Sequence, residues 1–299
     1  MEIKYFNRIS GQVEVEKVYG VGAVRWLYQT GLGKILQRLL CTAPISGMYG
    51  VLQDSAASAN KIPGFIKNFN INMDDYVPED GRSTENPYSS FNQFFIRKFK
   101  EGKRPIEQTA NLMPAFSEAR YFAYESMTDE AKIPVKGQYM SAKALLAHSE
   151  WEDVFDEGPL LLARLCPVDY HRFHYPDHGK VLDFYELHGA YHSVNPIALK
   201  ERPEIFHINE RAVTILQTEN FGKLAYIEVG ATMVGKIIQS TDLKSFSRGE
   251  EKGYFLFGGS TVIVLGEKGK WKPSDDLIKY TNEGMETWVP LGQKIAEKL

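Results

Sequence analysis

Beyond Pro114 the chain breaks into short β-branched and aromatic runs separated by glycine and polar turns, and this texture constrains the fold most. Leu160-Leu161-Leu162-Ala163, Tyr226-Ile227-Glu228-Val229 and Thr261-Val262-Ile263-Val264-Leu265 are three such runs. Each has strand length and strand composition. They predict an α+β fold, with an N-terminal helical region followed by a β-rich, mainly antiparallel domain. The 299 residues, 43% hydrophobic and 24% charged, can bury a sizeable core and exclude a collagen-like or low-complexity chain.

The first 75 residues or so read as helical. From Ala23 to Leu40, Trp26, Leu27, Leu32, Ile35, Leu36, Leu39 and Leu40 recur at helical spacing, with Gly31 and Gly33 expected to break the run in two. Arg25, Lys34 and Arg38 sit among them, and a second apolar group follows at Ile62, Phe65, Ile66 and Phe69 beside Lys61 and Lys67. The segment is either a helical subdomain packed on the core or an interfacial platform, its apolar side chains in lipid and its basic ones at the headgroups. Pro78 to Pro87 is rich in turn formers and marks a boundary, giving 1–78 and 79–299 as the expected division. Ser90-Phe91-Asn92-Gln93 then has the form of a capping box opening a short helix, with Phe91, Phe94, Phe95 and Phe99 as its apolar stripe.

Composition narrows the function classes. A formal charge of -3 gives no basic excess for a nucleic-acid backbone, so no nucleic-acid partner is expected. Cys41 and Cys166 are far apart and suit neither a disulfide scaffold nor a zinc ribbon, so no metal is expected. The opening residues Met1 to Arg8 lack the apolar core of a signal peptide, and no run of eighteen apolar residues occurs. The expectation is a protein that is soluble or lies on a membrane surface.

The densest chemistry lies in Asp169-Tyr170-His171-Arg172-Phe173-His174-Tyr175-Pro176. Two histidines three apart share a face only on a helix or tight turn, and Pro176 argues for a strand or loop end. His178, His188 and His192 lie nearby but complete no standard ligand set. The second feature is Gly253-Tyr254-Phe255-Leu256-Phe257-Gly258-Gly259-Ser260, followed by Thr261-Val262-Ile263-Val264. Its Gly-Gly step is open to two interpretations: a β-hairpin turn, or a backbone bond under attack, with an unshielded Gly259 carbonyl beside the Ser260 hydroxyl. Glu228-Val229-Gly230-Ala231-Thr232-Met233-Val234-Gly235 reads as a strand entering a small-residue turn.

Together these segments resemble the phosphatidylserine decarboxylase family. Ser90 to Arg97, Asp169 to Pro176, His192-Ser193-Val194-Asn195-Pro196, Val229 to Gly235, Gly249 to Phe255 and Gly258-Gly259-Ser260-Thr261 follow one another in family order. The N-terminal part, including Ile62-Pro63 and Ile71-Asn72-Met73-Asp74, is similar to bacterial members, so the resemblance covers nearly the whole chain.

The resemblance implies a proenzyme that cuts itself between Gly259 and Ser260, leaving a small chain of 40 residues that stays with the large one. Ser260 would attack the Gly259 carbonyl, and the resulting ester would break down to a pyruvoyl group, the covalent cofactor. That group condenses with the substrate amine and draws electrons from the breaking C–C bond. His174 matches the family's base for cleavage, which a carboxylate orients. His171 matches the histidine of the decarboxylation half. Where the family carries an aspartate, a gapless register from Arg104-Pro105-Ile106 places Glu118; alignment on Pro114-Ala115 would place Phe116 there and leave no acid.

The implied function is conversion of phosphatidylserine to phosphatidylethanolamine by a homodimer. It would contact an anionic membrane peripherally, on the cytoplasmic side of the cell membrane. The alternatives are a decarboxylase of a soluble amino acid, or a lipid-binding pseudoenzyme that never cuts, the latter motivated by Glu118.

Overall fold

A computed structural model describes residues 2–127, 140–147, 149–231, 236–242, 244–258 and 260–299. Gly259, and Thr232-Met233-Val234-Gly235 of the small-residue turn, lie outside the described residues.

Strands are numbered along the chain. The large sheet runs, edge to edge, β11 (Ser245–Phe246), β7 (Gly179–Leu187), β8 (Arg211–Thr218), β9 (Lys223–Val229), β13 (Ser260–Gly266), β5 (Leu160–Leu165), β4 (Ala119–Tyr124), β15 (Glu286–Val289), β1 (Lys4–Asn7) and β2 (Gln12–Val15). Every strand pairing among the described residues is antiparallel except β1 with β15. The three apolar runs singled out above are β5, β9 and β13, which pair side by side at the centre. All seven residues of β13 are buried, because strands flank it on both edges and layers cover both faces.

Two small sheets complete the fold: β10 (Ile237–Gln239), β12 (Glu251–Phe255) and β6 (Arg172–His174); and β14 (Trp271–Pro273), β16 (Lys294–Lys298) and β3 (Leu112–Pro114). The first of these lies against one face of the large sheet. Residues two apart on a strand share a face, and the register puts Ser260, Val262 and Glu228 on that face. Lys252 of β12 reaches Glu228 from above at 2.5 Å.

The predicted helices are present as α1 (Val21–Gln29) and α2 (Gly31–Leu40), which meet at Thr30, whose hydroxyl accepts from the Gly33 amide and caps α2. α3 (Ala43–Asp54), α4 (Ile62–Phe69) and α5 (Phe91–Phe95) follow. Ser90 caps α5 by accepting from the Gln93 amide at 3.2 Å, as the capping-box pattern predicts. Two expectations need correction. Residues 4–15 are strands at the edge of the large sheet rather than helix, because β1 finds a partner in β15, some 280 residues along the chain. β12 and β13, the strands before and after the Gly-Gly step, belong to different sheets, so they do not pair as the two arms of a hairpin.

The two apolar groups of the helical region part company. Ile62 and Phe65 are buried in an aromatic cluster with Phe91, Phe94, Phe95 and Phe257. Leu32, Ile35 and Leu39 of α2 stand in solvent, Ile35 at 70% exposure, together with Met48, Val51 and Leu52 of α3. Arg25, Lys34 and Arg38 are exposed beside them.

Candidate active site

Ser260 opens β13 and is completely buried. Its register partner is Leu165, the last residue of β5. Directly after β5 the chain turns at Cys166, the Asp169 amide donating to the Cys166 carbonyl at 2.8 Å, and returns as β6. That turn brings His171 back to the end of β13, where its Nδ1 is 3.3 Å from Ser260 Oγ. The other ring nitrogen, Nε2, is 2.8 Å from the Cys166 carbonyl oxygen. The Phe95 ring stacks on the imidazole with centroids 3.7 Å apart. Burial, reinforced by the Arg97 charge, holds the His171 pKa well below the usual histidine range. The ring is therefore neutral near pH 7 and can accept a proton.

His174 lies at the far end of β6 and faces another way. Its Nδ1 is 2.9 Å from the Gly249 carbonyl oxygen and its Nε2 is 3.3 Å from the Tyr170 hydroxyl. Burial lowers its pKa as well. Glu118 sits at the head of β4, held by a two-point contact with Arg104: Nε at 2.5 Å and Nη2 at 3.2 Å. The Leu291 amide adds a longer contact at 3.4 Å. Burial pushes the Glu118 carboxyl upward while Arg104 pulls against it.

Of the residues expected from sequence, the structure thus brings His171 and Ser260 into contact. It leaves His174 with Tyr170 and Gly249, and Glu118 with Arg104. Among the described contacts neither His174 with Ser260 nor Glu118 with His174 is a pair. Arg104 also lies over the Phe99 ring, and Phe99 packs on Tyr170, so the Glu118 and His174 environments share one aromatic wall.

The segment before the serine is held on its other flank. The Phe257 amide donates to Asn92 Oδ1 at 2.8 Å, and the Phe257 ring packs on Phe91 and Phe95. Gly258 follows with φ of 149°, an angle that an L side chain adopts only under strain. The chain entering the Gly259–Ser260 bond is therefore fixed by α5, whose Phe95 also covers His171. His178, His188 and His192 stay outside this arrangement; His192 contacts Tyr28 and Arg202 instead. Among the described residues no group of three or more His, Cys, Asp or Glu is arranged to hold a metal.

Sequence reasoning missed the Cys166 and Gly249 carbonyls, which are backbone atoms and carry no residue signature. It also missed Arg104 as the partner of Glu118. Tyr170 and Asp169 lay inside the octet already singled out, and their compact charged and aromatic setting was the available signal.

The model of the phosphatidylserine decarboxylase family matches residues 91–297. A phosphatidylserine decarboxylase proenzyme of Clostridium tetani is 40% identical over 297 residues, covering 99% of this chain and 98% of the relative. Its Clostridium kluyveri counterpart is 41% identical over 299 residues, covering 99% of each, and that of Desulfitobacterium hafniense is 37% identical over 295 residues, covering 98% and 97%. With similarity of this depth running from end to end, the chain belongs to the phosphatidylserine decarboxylase family, pyruvoyl-dependent carboxy-lyases made as proenzymes.

Proposed function

We propose that Ser260, His171, His174 and Glu118 carry the activity of this carboxy-lyase, the decarboxylation of phosphatidylserine to phosphatidylethanolamine. The observation that carries the assignment is the 3.3 Å contact between His171 and the buried Ser260 hydroxyl. In the uncut chain Ser260 is the nucleophile toward the Gly259 carbonyl. Cleavage there makes residue 260 the N-terminus of the small chain and the source of the pyruvoyl group, which supplies an electron sink for the breaking C–C bond. His171 lies beside residue 260 before the cut and is in place to serve the decarboxylation after it.

His174 and Glu118 keep the cleavage roles that the resemblance gives them. In support, the Gly249 carbonyl can only accept, so His174 Nδ1 carries the proton and Nε2 presents a lone pair, toward the Tyr170 hydroxyl, that can take up another. The His171–Ser260 contact favours a second assignment, in which His171 also takes the serine proton, since a general base must reach the hydrogen it removes.

Three alanine variants decide between these roles. Ser260→Ala stays as one chain. His174→Ala stays as one chain and His171→Ala cuts but turns over poorly if His174 is the base. The opposite pattern moves the base role to His171. Normal cutting and normal turnover in both histidine variants would refute the site.

The cut chains are expected to remain together. The small chain supplies β13 at the centre of the large sheet, β15 between β4 and β1, and β16 between β14 and β3. Cutting before Ser260 leaves every one of those ladders intact. The exposed apolar side chains of α2 and α3, with Lys34 and Arg38 of α2, suit a peripheral seat on an anionic membrane, where a lipid substrate is presented. No helix among the described residues is long and apolar enough to cross one.

A further inference from the structure

The face of the large sheet turned away from Ser260 carries charge where a buried sheet ordinarily carries aliphatic side chains. Arg120 of β4 and Arg164 of β5 stand opposite one another in register, a placement in which like charges repel. Glu16, just after β2, lies between them, 3.2 Å from Arg120 Nε and 2.6 Å from Arg164 Nη2. Burial alone would raise its pKa, but Arg164 and Arg120 overcome that and hold it down to about 2. Glu286 of β15 takes the other side of Arg164 at 2.5 Å. All four are buried, and their charges cancel.

The fifth charge of the cluster, Asp169, points toward the site. Its Oδ2 accepts from Arg120 Nη1 at 2.6 Å and from the Cys166 amide at 2.8 Å. Its own amide donates to the Cys166 carbonyl. The turn is thereby closed from both sides, and the direction of the Cys166 carbonyl is fixed. This same carbonyl faces His171 Nε2. A carbonyl oxygen can only accept, so the imidazole proton resides on Nε2 and the lone pair on Nδ1, the atom nearest Ser260 Oγ.

We infer that Asp169, anchored by Arg120, is a positioning residue that sets the tautomer of His171 through the Cys166 carbonyl. An uncharged side chain in its place would hold Arg120 and the Cys166 amide only weakly, so the turn would loosen and the carbonyl would no longer select Nε2–H. The other tautomer would aim an N–H at the serine and leave the hydroxyl proton with no acceptor. This inference rests on the second assignment above, in which His171 takes the Ser260 proton.

The test uses the full chain. In a Ser260→Ala background, nitrogen-15 spectroscopy of histidine-labelled protein reads the His171 tautomer, and a His171→Ala spectrum identifies its signals. Ser260→Ala alone should show Nε2–H, and adding Asp169→Asn should give a mixture of tautomers. Adding Glu286→Gln, a change within the same cluster but away from the turn, should leave Nε2–H in place. With Ser260 intact, Asp169→Asn should slow self-cleavage about 10- to 100-fold, the range expected when positioning is lost. Glu286→Gln should slow it by less than about twofold.

An unchanged tautomer or an unchanged cleavage rate in Asp169→Asn would overturn the inference, as would equal slowing by Glu286→Gln. If Asp169→Asn fails to fold, Arg120→Lys, which loses the planar fork but keeps the charge, must show the same tautomer shift and slowing. Normal cutting in His171→Ala would instead bring down the underlying assignment, and the inference with it.

Discussion

Two parts of this molecule depart from the usual partition of side chains in opposite directions. In α2 and α3 large aliphatic residues stand in water: Leu32, Ile35, Leu39, Met48, Val51 and Leu52. In the sheet around Ser260 charged residues stand out of it: Glu228 and Lys252 on the serine's face, and Arg120, Arg164, Glu16, Glu286 and Asp169 on the other. An exposed leucine contributes little to folding, so substitution there acts on whatever the surface touches. A buried charge is tied to folding through its partner, and removing that partner is costly. The proposed membrane seat therefore rests on the exposed helices, and the buried ionic groups hold the geometry of the sheet around Ser260.

The largest stability effect should come from the buried side of this contrast. Lys252 and Glu228 are both fully buried, and burial pushes the lysine pKa down and the glutamate pKa up, each drawn back by the other. Lys252→Met leaves a carboxylate with its main cation gone and should cost about 3–5 kcal/mol. Urea denaturation of the uncut Ser260→Ala chain measures this. The double change Lys252→Met with Glu228→Leu should recover most of the loss, because an apolar pair often replaces a buried ion pair at little cost. A single variant as stable as the parent would break the contrast at its strong end.

The exposed side should respond in binding rather than stability. Replacing Leu32, Ile35 and Leu39 together by glutamine should lower affinity for anionic liposomes at least about tenfold, since each buried leucine or isoleucine is worth about 1.5–3 kcal/mol on transfer. The unfolding midpoint should barely move. If liposome binding survives, or if the variant unfolds instead, α2 is ordinary packing surface.

The smallest effect concerns Glu118. Shortening it by one methylene, Glu118→Asp, should speed self-cleavage about two- to tenfold if this carboxylate serves the histidine, a modest change for a sub-ångström shift. The time course of the uncut band measures it. An unchanged rate would mean that Glu118 belongs to Arg104 alone.

Much of the fold was readable from local pattern, and the failures share one cause. Runs such as Thr261 to Leu265 reveal a buried strand by composition, and Ser90 marks a helix start through its capping hydroxyl. Lys4-Tyr5-Phe6-Asn7 carries no such mark, because its strand exists through pairing with β15 at the other end of the chain. The exposed face of α3 was hidden by Pro44, Gly47 and Gly50, which weaken helical periodicity in the sequence. At the site, Ser260, His171 and His174 were singled out by motif. The pairing of His171 with Ser260 was not, because it depends on β5 lying beside β13 and on the turn at Cys166. Motifs named the chemistry, and topology chose which histidine touches the serine.

The central claim is that this chain becomes an enzyme by cutting itself between Gly259 and Ser260. Intact mass of the freshly purified protein, with and without a carbonyl reductant, tests it most directly. Two chains divided at that bond, the 40-residue one carrying a blocked N-terminus that gains mass on reduction, are the predicted result. A single full-length mass after long incubation would contradict the claim and leave a lipid-binding protein that does not mature.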